Sequence, residues 1–172
     1  MSLLAVTVIG HDRPGIIAEV TGILAEHGGN LEDSTMTILR GHFTMVLLVS
    51  ATLPPKEIEQ ALAPVTADGS LLVSVREVPE EPDPPGRGRH HVLTVHGADR
   101  PGIVSAMTRR VAAVGGNITD LTTRLSGGLY VLVAEVDLPV TADVAALSAD
   151  LADAARPLGV ETSLRPVEAD VF

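Results

Sequence analysis

Residues 10–30, GHDRPGIIAEVTGILAEHGGN, return as residues 97–117, GADRPGIVSAMTRRVAAVGGN, 87 positions later and without a gap. Between 6–50 and 93–137 about 18 of 45 positions are identical. Two copies at so long a period indicate a duplicated domain rather than a stack of short repeats. Whatever one half folds into, the other must match. In a chain of 172 residues each copy has only about 80 with which to do it.

Within a copy the pattern alternates between two periods. Residues 3–9, LLAVTVI, are a short apolar run before a glycine and read as a buried strand. Pro14 suits a first helical turn, where its missing N–H costs nothing. Ile16, Val20, Leu24 and His27 then fall on one helical face, as do Ile103, Met107, Val111 and Val114 in the second copy. Gly28-Gly29 and Gly115-Gly116 end these helices. Residues 30–39 read as a strand, Arg40-Gly41 as a tight turn and 42–51 as the hairpin partner. There Phe43, Met45, Leu47 and Val49 alternate, like Tyr130, Leu132, Ala134 and Val136. Leu53-Pro54-Pro55 opens a second helix to about residue 67, and 70–78 is a last strand. In the second copy the corresponding helix spans about 142–157.

The order β-α-β-β-α-β predicts an α+β chain of two ferredoxin-like domains, each an antiparallel four-stranded sheet with two helices on one face. The expected boundaries are 1–78 and 90–172, joined by a Pro-rich linker at 79–89 whose prolines and mixed charges cannot build a core.

Composition removes several functions. The formal net charge of -10 argues against DNA, RNA or anionic lipid as a direct partner. Two Phe, one Tyr and no Trp leave too few rings for an RNA-stacking sheet. The absence of cysteine removes disulfides and thiolate chemistry and fits a cytoplasmic protein. The opening MSLLAVTVIGHD lacks a basic n-region and reads as a strand, not a leader. No metal site and no cofactor are expected: His90-His91 point to opposite faces of a strand, and no acidic or cysteine companions stand at ligand spacing. Asp33 and Asp120 read as local backbone partners rather than catalysts.

The repeated DRPG sits where a strand turns into a helix. First-turn amides lack intrahelical partners, and the helix dipole adds partial positive charge there. Gly15 lets a ligand approach its backbone closely. The amides of Gly15 and Ile16 could hold a carboxylate, while Asp12 could accept from an ammonium group; an α-amino acid carries both. Asp12 as an ordinary helix cap is the competing reading. An enzyme on the same scaffold would need a nucleophile and a paired base, which the sequence does not supply.

DRPG after the first strand and GGN after the first helix, in both halves, resemble the ACT domain, a small-molecule regulatory module of ferredoxin-like fold. A tandem pair resembles the glycine cleavage system transcriptional repressor group. The resemblance implies ligand contacts on the loops Gly10-His11-Asp12 and Gly97-Ala98-Asp99. It adds the amides of Gly15, Ile16, Gly102 and Ile103, and the second-strand starts Asn30-Leu31 and Asn117-Ile118, with one domain giving its loop and another its strand. Ala98 in place of His11 makes the two sites unequal. The implied function is a non-enzymatic sensor that binds a free amino acid, such as glycine or serine. It would regulate amino-acid metabolism or its transcription through a protein partner. The alternative is a small ferredoxin-like enzyme or an accessory subunit of one. Val46, Leu48, Val131 and Val133 face away from the helices, so the sheets are expected to pack against each other or in a homodimer.

Overall fold

The computed structural model describes residues 1–79 and 88–167. Most of the linker expected at 79–89, residues 80–87, lies outside the described residues, as does the segment 168–172. The chain falls into two compact units, one on each side of the linker.

The first domain runs β1 (Ser2–His11), α1 (Ile16–Glu26), β2 (Asn30–Leu39), β3 (His42–Ala51), α2 (Pro55–Ala61), α3 (Ala63–Thr66) and β4 (Leu71–Val78). The second runs β5 (Arg89–Ala98), α4 (Ile103–Ala113), β6 (Asn117–Ser126), β7 (Leu129–Leu138), α5 (Val144–Ala155) and β8 (Val160–Pro166), with a 3-10 turn at Arg156–Leu158. Both sheets are antiparallel, in the orders β2-β3-β1-β4 and β6-β7-β5-β8. These are the two ferredoxin-like domains that the repeat predicts.

Alternation along the central strands builds each core. In the first domain Leu4, Val6 and Val8 of β1 and Phe43, Met45, Leu47 and Val49 of β3 are buried against Ile16, Val20 and Leu24 of α1 and Ile58 of α2. Burying one such aliphatic side chain contributes about 1.5–3 kcal/mol. In the second domain Leu93, Val95, Leu132, Ala134 and Val136 meet Ile103, Met107, Val111, Leu147 and Leu151.

Three local expectations need correction. His27 does not continue the buried stripe: it lies just past α1, exposed, and its Nδ1 bonds the Ile23 carbonyl at 2.8 Å. The first domain's second helix is broken into α2 and α3, because Pro64 has no N–H with which to continue the ladder. Pro14 precedes the helix instead of lying in its first turn, since α1 starts only at Ile16.

Both second strands carry a bulge, between Leu31 and Asp33 and between Ile118 and Asp120. The extra residue sets Leu31 opposite Val49 on the helix side and Asp33 opposite Leu48 on the other. Without it the Asp33 carboxylate would turn toward the core. Asp33 instead accepts the Ser34 N–H at 2.7 Å, the local role its sequence position suggests.

Among the described residues no helix is long and apolar enough to cross a membrane.

Candidate functional site

The loop after β1 is held from two sides. Gly10 lies between Phe43 of β3 and Leu71 of β4. The His11 N–H donates to the Ser70 carbonyl at 2.9 Å, and the Asp12 N–H donates to the Gly41 carbonyl at 3.3 Å. Gly10 stands so close to its neighbour that a Cβ there would lie 2.1 Å from the Ser70 oxygen. Its counterpart Gly97 would meet the Gly159 oxygen at 2.6 Å. No other residue type fits either place without parting the strands.

The chain then reverses into the helix through a left-handed glycine. Gly15 has φ 92° and Gly102 has φ 94°, and each is the N-cap of its helix. This conformation is natural for glycine and strained for other residues. No side chain caps either helix. Asp12 and Asp99 are exposed and lie three residues ahead of the cap, so the capping reading of these aspartates fails. By helix geometry the amides from Ile16 to Ala18, and from Ile103 to Ser105, have no partner within the helix. The first intrahelical bonds, Glu19 N–H to Gly15 and Ala106 N–H to Gly102, are both 2.9 Å.

A hollow of about 410 Å³ opens beside the first loop. Asp12, Arg13 and Gly15 line one part of it; Ile16, Ile17, Ala18, Met36 and Phe43 line the rest. Ile16 and Phe43 are buried, whereas Ile17 and Met36 stay 45% and 41% exposed. Arg13 reaches back over the first turn to Glu19, Nη2 to Oε2 2.7 Å. Among the described residues no three His, Cys, Asp or Glu side chains gather in a group that could hold a metal ion.

The sequence singles out Gly10, His11, Asp12, Gly15 and Ile16, and the structure gathers them at one end of the first domain. Gly97, Ala98, Asp99, Gly102 and Ile103 gather likewise in the second. The second-strand positions do not join them within a domain. Asn30 pairs with Ser50 and Leu31 with Val49, at the sheet end opposite the His11–His42 pair. Asn117 and Ile118 pair with Asp137 and Val136, far from the Ala98–Leu129 pair. A ten-residue strand of roughly 30 Å separates the two ends.

Met36, Phe43, Glu19 and Ser70 were not among the expected site residues. For Met36 the signal lay in hairpin register, since it sits opposite the buried Met45 on the helix side. For Glu19 it lay in helical spacing from the DRPG turn.

This fold and its paired loops define a small regulatory-type module, and the sequence profile of the ACT domain matches residues 2–75 and 89–165. The chain belongs to the ACT-domain family. It is 30% identical over 151 residues to the glycine cleavage system transcriptional repressor of Escherichia coli (strain K12), covering 87% of this chain and 78% of that one. It is 55% identical over 49 residues to a UPF0237 protein of Methanopyrus kandleri, which is 28% of this chain and about half, 54%, of that relative's length. A crystal structure of a Galdieria sulphuraria protein, 30% identical, superposes with a TM-score of 0.78 over 96% of this chain and 98% of that one.

Proposed function

We propose that this chain is a non-enzymatic, amino-acid-binding regulator of tandem ACT type, with domains 1–78 and 90–172 joined through 79–89. It regulates amino-acid metabolism or its transcription by way of a protein partner. The observation that carries the reading is the repeated, uncapped helix start. In both domains a left-handed glycine leaves first-turn amides open beside an aspartate that caps nothing. Those amides suit a carboxylate, and Asp12 or Asp99 suits an ammonium group. Kinship with a transcriptional repressor supports the regulatory role. The net charge of -10 favours a protein over DNA as the direct target.

The test is calorimetric titration with the common amino acids on the native chain and on Asp12→Ala and Asp99→Ala. A charge-assisted bond contributes about 1.5–3 kcal/mol, so losing it should weaken binding roughly tenfold to a hundredfold. Melting temperature should stay near the native value, since neither aspartate caps a helix. Unchanged affinity in both variants would remove the aspartates as the ammonium contacts, and binding of no amino acid would remove the sensor reading.

A further inference from the structure

We propose that the hollow beside Asp12 selects an α-amino acid with an apolar side chain, of valine to methionine size, and that Met36 and Ile17 determine this specificity. The inference rests on reading the Asp12 loop as an amino-acid site and names the ligand class of that site in the first domain.

The hollow is polar at one part and apolar elsewhere. Asp12 and the helix-start amides match the charged end of a zwitterion. Beyond them lie Ile17 and Met36, large apolar side chains left 45% and 41% exposed, over the buried Phe43 and Ile16. At about 410 Å³ the space is within the roughly 300–1,000 Å³ of small-molecule sites. Glycine or serine would satisfy the polar end and leave both exposed side chains in water. A branched or thioether side chain would cover them, and each buried methylene strengthens binding by roughly fourfold. Methionine is an adaptable wall for such a ligand, because its unbranched side chain re-packs around different shapes. The charged groups at the mouth do not favour an acidic side chain, because Glu19 already neutralises Arg13 at 2.7 Å.

The second domain keeps an apolar residue, Val104, at the position of Ile17 but lacks the methionine wall. Thr123 stands at the position of Met36, Ser105 at that of Ala18 and Tyr130 at that of Phe43. The apolar preference therefore belongs to the first domain.

The experiment is calorimetric titration of the full chain, in an Asp99→Ala background that isolates the first loop, with glycine, serine, valine, leucine, methionine and aspartate. Leucine or methionine should bind at least roughly tenfold more tightly than glycine. Met36→Thr, which copies the second domain, should erase most of that difference and leave glycine affinity unchanged. Both Met36 and Ile17 are substantially exposed, so the fold should survive; Ile17→Ser is the second variant and should act in the same direction. Glycine or aspartate binding as tightly as leucine, or Met36→Thr weakening every amino acid equally, would overturn the apolar selectivity and leave the sensor reading standing. If no amino acid bound, both would fall.

Discussion

The two domains share a backbone and differ on the face that the backbone does not use. Their helix-covered faces are apolar in both copies apart from the buried His91 of the second, built on β1 and β3 in one and on β5 and β7 in the other. Their open faces have diverged. In the first domain Ile9 lies opposite Leu72, and Leu3 opposite Ser50. In the second the corresponding pairs are His96 with Glu161, 3.4 Å from Nε2 to Oε2, and His90 with Asp137. Glu135 replaces Leu48. The two faces of a strand are separated by its two-residue period, so one can be rewritten while the other keeps the core. The expected apolar open face is only partly present in the first domain, where Ile9, Val46, Leu48 and Leu72 share it with Thr7, Ser74 and Arg76. In the second, Val131 and Val133 share their face with His90, His96, Glu135 and Glu161.

The sharpest way to break this comparison is at the glycines that both domains retain. A methyl group on Gly10 would meet backbone on β4's leading edge, 2.1 Å from the Ser70 oxygen and 2.9 Å from the Leu71 Cα. Gly97 is slightly less crowded, at 2.6 Å from the Gly159 oxygen and 2.8 Å from the Val160 Cα. Backbone cannot rotate away as a side chain does. Gly10→Ala should destabilise the first domain by about 3 kcal/mol, and Gly97→Ala the second by somewhat less. Hydrogen exchange reports each domain separately. Equal tolerance of both substitutions would show that the close strand approach is not what fixes these positions.

A second test exchanges one core position. Leu4 is fully buried in the first domain, and its counterpart His91 is 3% exposed in the second. His91 is accommodated because its Nδ1–H donates to the Arg89 carbonyl at 2.8 Å. Leu4→His should cost the first domain about 3 kcal/mol. His91→Leu should cost little or stabilise by roughly 1 kcal/mol, since an apolar residue replaces both the ring and its need for a partner. A loss of stability in His91→Leu as large as that in Leu4→His would mean that the second core depends on the imidazole bond.

His91 also marks where sequence reading stops. The strand order, the turns and the core stripes were legible, because a repeat with no gap forces every period to agree twice. The loop residues Gly10 to Ile16 and Gly97 to Ile103 were legible for the same reason. What escaped depends on tertiary placement. His27 continued a helical stripe on paper, but the glycines after it end the helix one residue too early for its ring to reach the core. The break at Pro64 was present as a residue, yet a proline near a helix end can close one helix or divide two. The Met36 wall escaped because β2 is an edge strand: its helix-side residues alternate like core residues but stay exposed. Asp12 was readable as a helix cap, and the left-handed Gly15 at the N-cap position is what rules that reading out.

The smallest expected effect concerns how each domain closes the loop beside its site. In the second domain the turn before β8 uses a left-handed glycine, Gly159, at φ 67°. The first domain's turn before β4 also has a left-handed glycine, Gly69 at φ 74°, and is tied in addition by a carboxylate. Asp68 Oδ1 accepts the Ser70 hydroxyl at 2.7 Å and the Ser70 N–H at 2.9 Å. Ser70 in turn receives the His11 N–H, so this turn buttresses the candidate loop. The bonds from the Ser70 hydroxyl, then from its N–H, hold the Asp68 carboxyl below its ordinary value, with a smaller contribution from the Arg13 charge. A carboxyl whose folded value is depressed stabilises the fold fully above its unfolded value, and that contribution disappears as pH falls through the folded value. Acidification through the usual Asp range and below should therefore loosen the first domain's α3–β4 turn by an amount that Asp68 titration sets. Asp68→Asn keeps an oxygen acceptor and removes the titration. Its α3–β4 turn should lose part of the pH dependence of amide exchange in that window, while the Gly159 turn of the second domain behaves identically in both chains. An unchanged pH profile at Ser70 and His11 in Asp68→Asn would show that the carboxylate does not buttress the loop.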